Sequence, residues 1–384
     1  MIRVAHVLTV PWNSTEAITR SCREIATELT DCASSLLVDR DPGADAAVFT
    51  DTRVIEGWTA LTPWRRSFAD ALHGLAPDVV HIHGGDIAPT LAFAPALARY
   101  PVVVTCYRSA RTPEGTHVRG RVSGEHHANA TPLRTAFAHA GGIALGRRAL
   151  RTGRVGILCT PDARIEAAFA EAGPDVSVSG GARLAQQRAR WSDAPTVVFA
   201  GRAQIGRGVD DLIAAFEIVR DRLPAARLLL LLLPGAAAER WQQQLASAPW
   251  ADVRIGAVAD LDAVFAECQA AAFPFRFSTT MTPALAAAEA MATGLPLVAT
   301  SVDCLAPLVE SGVNGALVPP NDPAAIGHAL VGMLSDRGAW EQLSKSARKT
   351  IESQWSWSAA AEVTRDAYTL AMRRATRSPA EMTK

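Results

Sequence analysis

At 384 residues the chain exceeds what one ordinary hydrophobic core organises, and a domain size of about 100–200 residues divides it into two. Lys plus Arg and Asp plus Glu number 38 each, so no global basic field draws the protein to nucleic acid or to acidic membranes. A hydrophobic content of 49% with 20% charged residues excludes the disordered and fibrous classes. Six cysteines (Cys22, Cys32, Cys106, Cys159, Cys268 and Cys304) are scattered without a Cys-x-x-Cys pair, which predicts reduced thiols rather than disulfides or zinc. Residues 1–10 are apolar but too short for a signal peptide, and the leucine run 228–233 falls far short of the roughly 20 residues that span a bilayer. These features predict a soluble cytoplasmic protein, monomer or homodimer, without a transmembrane segment or a nucleic-acid partner.

Alternating strands and helices follow in chain order, the pattern of parallel sheets covered by helices. In the first half, strands are predicted at 2–10, 35–38, 78–83, 102–107, 141–145 and 156–160, with helices at 15–29, 89–98 and 162–172. Residues 107–132 lack periodicity and read as a long loop, which in compact domains is functional or disordered. The pattern lapses between about 176 and 195, so the reading divides the chain into domains 1–190 and 191–355, with 356–384 as a terminal helix. The second half repeats strand–helix units: strands at 196–201, 227–233, 253–258, 270–274, 297–300 and 315–318. Helices lie between them, notably 209–222, 236–246 and 261–268, and further helices are predicted at 323–334 and 338–353.

The most informative stretch runs from Pro274 to Thr300. A strand enters the polar loop Pro-Phe-Arg-Phe-Ser-Thr-Thr-Met-Thr-Pro, which opens an alanine-rich helix bearing Glu289; Gly294 ends that helix and Pro296 starts the next strand. A strand–loop–helix of this kind points backbone N–H groups beyond the strand's carboxyl end, where phosphates bind. A second such unit, Ala200-Gly201-Arg202-Ala-Gln-Ile-Gly206-Arg207-Gly208, places two arginine forks on a glycine-containing loop ahead of a helix.

Ala-Glu-Ala-Met-Ala-x-Gly-Leu-Pro-Leu-Val-Ala, with Glu289 as its acid, resembles the signature of family 4 retaining glycosyltransferases. These have the α/β GT-B fold, two doubly wound Rossmann-like domains facing across a cleft. The 201–208 loop resembles the family's Gly-Arg-x(4)-Lys-Gly motif, with Arg207 in the lysine's place. The resemblance implies that Arg202 and Arg207 bind the donor's diphosphate and that Glu289 accepts hydrogen bonds from ribose hydroxyls. The family's first acid would fall at Met281, a departure that shifts sugar positioning to Thr279, Thr280, Thr282 and Pro283 or to backbone amides at Ala284 and Leu285. Val258 and the strand before it resemble the nucleobase-holding segment, whose contacts do not discriminate uracil from guanine; Gly201 completes the donor set. The last helix is expected, by the same resemblance, to return to the first domain.

In the first half, Asp78-Val-Val-His81-Ile-His83 resembles the family's cleft-facing strand, which implies His83 near the acceptor, and Tyr107 stands where a cleft histidine is expected. Arg202, Arg207, His83 and Tyr107 are therefore the expected catalytic set. Asn13, Ser14, Thr15, His83, Tyr107 and Arg108 are the expected acceptor side, although Ser14 or Thr15 could equally cap the following helix. His81 and His83 alternate on a strand, but no third ligand stands at a fixed spacing, so no metal is expected. The resulting expectation is a retaining glycosyltransferase using a nucleotide-diphosphate sugar, UDP over GDP, and a small-molecule or glycan acceptor, without a cofactor. The Ala- and Arg-rich composition hints at bacterial specialised metabolism. The missing first acid also leaves open a pseudo-glycosyltransferase coupling an activated cyclitol, or a non-catalytic partner subunit of the same fold.

Overall fold

The computed structural model describes residues 1–9, 11–12, 17–56, 66–84, 97, 99–107, 144, 146–148, 150–151, 157–159, 169, 175–176, 180–278 and 282–375. The chain divides into two compact units, Met1–Gly180 with Trp357–Lys384, and Gly181–Ser356.

The first unit is built on a parallel sheet. Its strands are β1 (Ile2–Leu8), β2 (Cys32–Val38), β3 (Asp51–Val54), β4 (Val79–Gly84), β5 (Val102–Cys106), β6 (Ile157–Cys159) and β7 (Asp175–Val176). They lie in the order β3-β2-β1-β4-β5-β6-β7. Helix α1 (Ala17–Glu28) follows β1 and buries Cys22, Ile25 and Ala26, one stripe at helical spacing. Helix α2 (Arg66–Leu75) buries Phe68 and Leu72 against the opposite apolar layer formed by Ala5, Val7, Val80, Ile82 and Val104. Sequence reading missed β3 and α2. It also predicted a strand at 141–145, whereas residue 144 is helical, as are 146–148.

The second unit follows a stricter alternation. β8 (Thr196–Gly201), α3 (Val209–Arg222), β9 (Arg227–Leu232), α4 (Ala236–Leu245), β10 (Ala251–Ile255), α5 (Leu261–Ala266) and β11 (Ala270–Phe273) come first. α6 (Leu285–Ala292), β12 (Leu297–Thr300), β13 (Gly315–Val318), α7 (Pro323–Leu334) and α8 (Arg337–Gln354) complete it. The parallel sheet runs β10-β9-β8-β11-β12-β13. Leu228–Leu232 are all buried, which explains the leucine run: a central parallel strand is covered on both faces and needs no polar alternation. Side-chain caps at Asp260, Asp322 and Asp336 each accept from a backbone N–H at 2.9 Å and set the starts of α5, α7 and α8.

The predicted boundary at 190 moves back to 180. Residues from Gly181 belong to the second unit because Ala182 bridges Ser356, Arg348 donates to the Ala185 carbonyl at 2.9 Å, and the Ala189 N–H donates to Thr293 at 2.8 Å. Within the predicted terminal segment, helix α9 (Trp357–Ala375) groups with the first unit, burying Trp357, Ala360, Ala361, Thr364, Ala367, Tyr368 and Ala371 as one stripe. Small alanines along that stripe allow close approach, and Arg365 grips Asp31 at 2.9 Å at its edge.

No helix among the described residues is long and apolar enough to cross a membrane.

Candidate functional site

The strand order of the second sheet contains a reversal. From β8 the chain winds outward to β9 and β10, then returns to lay β11 on the other side of β8. The carboxyl ends of β8 and β11 therefore flank the point where the strand order reverses, the place where doubly wound sheets bind ligands. Gly201 ends β8 and Arg202 and Arg207 follow it, while Thr282, Pro283, Ala284, Leu285 and Glu289 follow β11. Val258 lies past the end of β10, at the same end of the sheet. Two segments far apart in sequence thus share one strand boundary.

The two connections are in direct contact. A 3₁₀ turn, Ile205–Arg207, runs into Gly208 in the left-handed region (φ 64°), and α3 begins at the next residue. A Cβ at Gly208 would lie 2.0 Å from the Pro274 carbonyl oxygen, so this position accepts only glycine on both conformational and steric grounds. Across from it, the Arg276 N–H donates to the Gly206 carbonyl at 2.9 Å. The Arg207 guanidinium carbon lies 4.4 Å from the centroid of the Phe275 ring, within cation–π range. Phe275 is itself anchored, because its carbonyl accepts from the Thr300 hydroxyl at 2.6 Å.

Arg276 forks Asp211 through Nε and Nη2, both at 2.8 Å, and also donates to Asp210. These hydrogen bonds, Asp211 foremost, hold its guanidinium above the usual arginine range, so it stays charged. Sequence reading singled out none of these three residues. The available signal was an arginine just past a strand facing an Asp-Asp pair at a helix start.

Further along the same connection Ser278 accepts from the Cys304 N–H at 3.2 Å, and the Ala284 N–H donates to the Cys304 carbonyl at 2.9 Å. Helix α6 therefore starts at a fixed place. Its cap position is Ala284, whose methyl group cannot accept a hydrogen bond from the first turn. Glu289 stands one turn into α6, partly buried on an otherwise apolar helix, and Arg202 is exposed. Thr280 and Met281 lie outside the described residues, as does Thr279.

The first unit brings together a different group. His6 on β1 pairs in register with His81 on β4, and His83 points to the same sheet face two residues on. All three imidazoles are fully buried. His6 Nδ1 contacts His83 Nε2 at 3.0 Å and its Nε2 contacts Ser34 Oγ at 3.2 Å. His83 Nδ1 contacts the Tyr107 hydroxyl at 3.1 Å. His81 contacts the Tyr368 hydroxyl of α9 at 2.8 Å and Thr105 Oγ1 at 2.6 Å. Burial lowers the His6 pKa to about 3 and holds those of His81 and His83 well below the ordinary value, so all three rings are neutral near pH 7.

The expected acceptor-side residues His83 and Tyr107 belong to this network. Both side chains are buried and hydrogen-bonded to each other. Asn13, Ser14, Thr15 and Arg108 lie outside the described residues. The third histidine missing from the sequence reading is supplied by β1, and one nitrogen from each ring falls within 4.8 Å of the others. Every ring nitrogen of the three already has a hydrogen-bonding partner, so the imidazoles are satisfied as they stand.

Two parallel, doubly wound α/β units make up the GT-B fold, which the solved structures described below share. Within the second unit, residues 194–336 match the profile described as Glycosyl transferases group 1. Over 203 residues the chain is 30% identical to D-inositol 3-phosphate glycosyltransferase of Xylanimonas cellulosilytica, covering 47% of this chain and 44% of that protein. The chain thus matches less than half the length of that relative. In solved structures the fold resembles Anabaena Alr3699/HepE in complex with UDP and glucose, with a TM-score of 0.70 at 16% identity over 95% of this chain and 99% of that one. It also resembles sucrose-phosphate synthase from Thermosynechococcus elongatus, with a TM-score of 0.71 at 17% identity over 96% and 98% of the two chains.

Proposed function

We propose that this protein is a retaining glycosyltransferase that binds a nucleotide-diphosphate sugar at the crevice between β8 and β11 and passes the sugar to an acceptor hydroxyl or amine. The observation that carries this reading is the direct packing of the two connections, with Arg207 held on Phe275 and the arginine loop bonded to the loop that opens α6. Arg202 and Arg207 offset the charge that builds on the departing diphosphate as the anomeric carbon–oxygen bond breaks. The acceptor atom bonds the anomeric carbon from the same face, and its proton leaves with the diphosphate. Glu289 accepts hydrogen bonds from the ribose hydroxyls. A UDP-sugar is the favoured donor, in keeping with the UDP bound by HepE. Acceptor recognition is assigned to the first unit, and the reaction requires no cofactor.

The test is incubation of the purified protein with a panel of UDP-, GDP-, ADP- and dTDP-sugars and polyol, inositol and glycan acceptors, followed by mass spectrometry. Nucleotide release together with a glycosylated product in which the donor's anomeric configuration is kept supports the proposal. An inverted product removes the retaining mechanism. Binding of nucleotide without release across the panel would overturn the catalytic reading.

A further inference from the structure

The first turn of α3 carries Asp210 and Asp211. A helix start ordinarily attracts anions through its N–H groups and dipole, yet here two carboxylates occupy it beside the crevice. Left alone they would repel a diphosphate and compete for the nearby arginines. Arg276 lies across both of them, forking Asp211 at 2.8 Å and reaching Asp210. The Arg276 and Asp211 side chains are 22% and 11% exposed, so their interaction is partly shielded from water and worth more than a surface pair.

The same residue is tied through its backbone to Gly206, the residue before Arg207. Phe275, which precedes Arg276, supports the Arg207 guanidinium. One side chain therefore sits where three things meet: the acids of α3, the arginine loop, and the ring beneath Arg207.

We propose that Arg276 is a positioning residue that locks the 201–208 and 274–278 segments into one platform and occupies the α3 carboxylates, leaving Arg207 directed at the donor's diphosphate. This inference rests on the donor-binding reading above. It predicts a specific loss: recognition of the second phosphate suffers while the nucleoside end is held as before.

The test uses the full chain with Arg276→Gln, and Arg276→Lys as the variant that keeps the charge but loses the planar fork. Hydrogen exchange without ligand reads the lock itself. In Arg276→Gln, amides of 204–212 and 275–278 should exchange faster while β9, β12 and α8 keep wild-type protection. Unchanged exchange in both segments would overturn the locking role whether or not any nucleotide binds. Calorimetry with UDP and UMP, and with GDP and GMP, reads the diphosphate role. Loss of a charge-assisted contact predicts about tenfold weaker diphosphate binding, with monophosphate affinity within about twofold of wild type. Equal losses for both nucleotides, or none, would overturn it. Should Arg276→Gln fail to fold, Arg276→Lys carries the same comparison, with an intermediate loss expected and a wild-type ratio overturning the inference. Wild-type protein that binds none of these nucleotides, but whose variant shows the exchange change, would sink the donor-binding reading and the diphosphate role while leaving the lock.

Discussion

The guanidinium of Arg207 rests 4.4 Å from the centre of the Phe275 ring, joining a residue from the β8 connection to one from the β11 connection. The contact fixes a flexible cation over a rigid, buried surface, so the charge is placed before any ligand arrives. A cation–π contact is worth about 0.5–2 kcal/mol, so Phe275→Leu should weaken nucleoside-diphosphate binding by roughly 2- to 30-fold. Arg207→Ala, which removes the charge, should lower turnover by at least about tenfold. Steady-state kinetics on both variants checks the order; wild-type rates in Arg207→Ala would remove that side chain from the reaction.

Glu289 is the lone acid on an apolar helix, and its proposed partner is the ribose. Glu289→Ala should weaken nucleoside-diphosphate binding by roughly 10- to 100-fold, the equivalent of a charged hydrogen bond. Calorimetry with ribose and 2′-deoxyribose nucleotides separates this from a general loss: the variant should no longer distinguish the two sugars.

Gly208→Ala tests the contact between the two connections. A methyl group there must displace the Pro274 carbonyl and hold a left-handed backbone, which together should cost roughly 2–4 kcal/mol. Urea unfolding measures the loss, and a change below 0.5 kcal/mol would show that the connections part readily.

The buried histidines give stability a defined pH dependence. Their folded pKa values lie below the unfolded value near 6.5, so the unfolded chain binds protons that the folded chain does not. Stability is therefore complete above about pH 7 and falls as pH drops below about 6.5, by roughly 1.4 kcal/mol per pH unit for each histidine that stays neutral when folded. Thermal unfolding between pH 7.5 and 5 should show a falling Tm, and His81→Gln should flatten the slope. A flat profile in the wild type would mean that the rings protonate within the fold.

The second unit was legible in the sequence because each signal there is local. Leucine and alanine runs mark strands buried on both faces, aspartate caps mark helix starts, and the span from Glu289 to Thr300 carries its own turn chemistry. The first unit was less legible where strands are short and polar: Asp51–Val54 is partly exposed at the sheet edge and offers no apolar run.

Sequence alone determined the parallel α/β class, the two-unit division and the residues at the ends of β8 and β11, since periodicity, caps and glycine breaks act over a few residues. Tertiary structure decided which distant groups meet. Register between β1 and β4 set His6 beside His81 and His83, and α9 brought Tyr368 to His81. The reversal of strand order likewise carried Arg276 to Asp210 and Asp211, pairings 66 and 65 residues apart that no local pattern encodes, because they depend on which strands become neighbours.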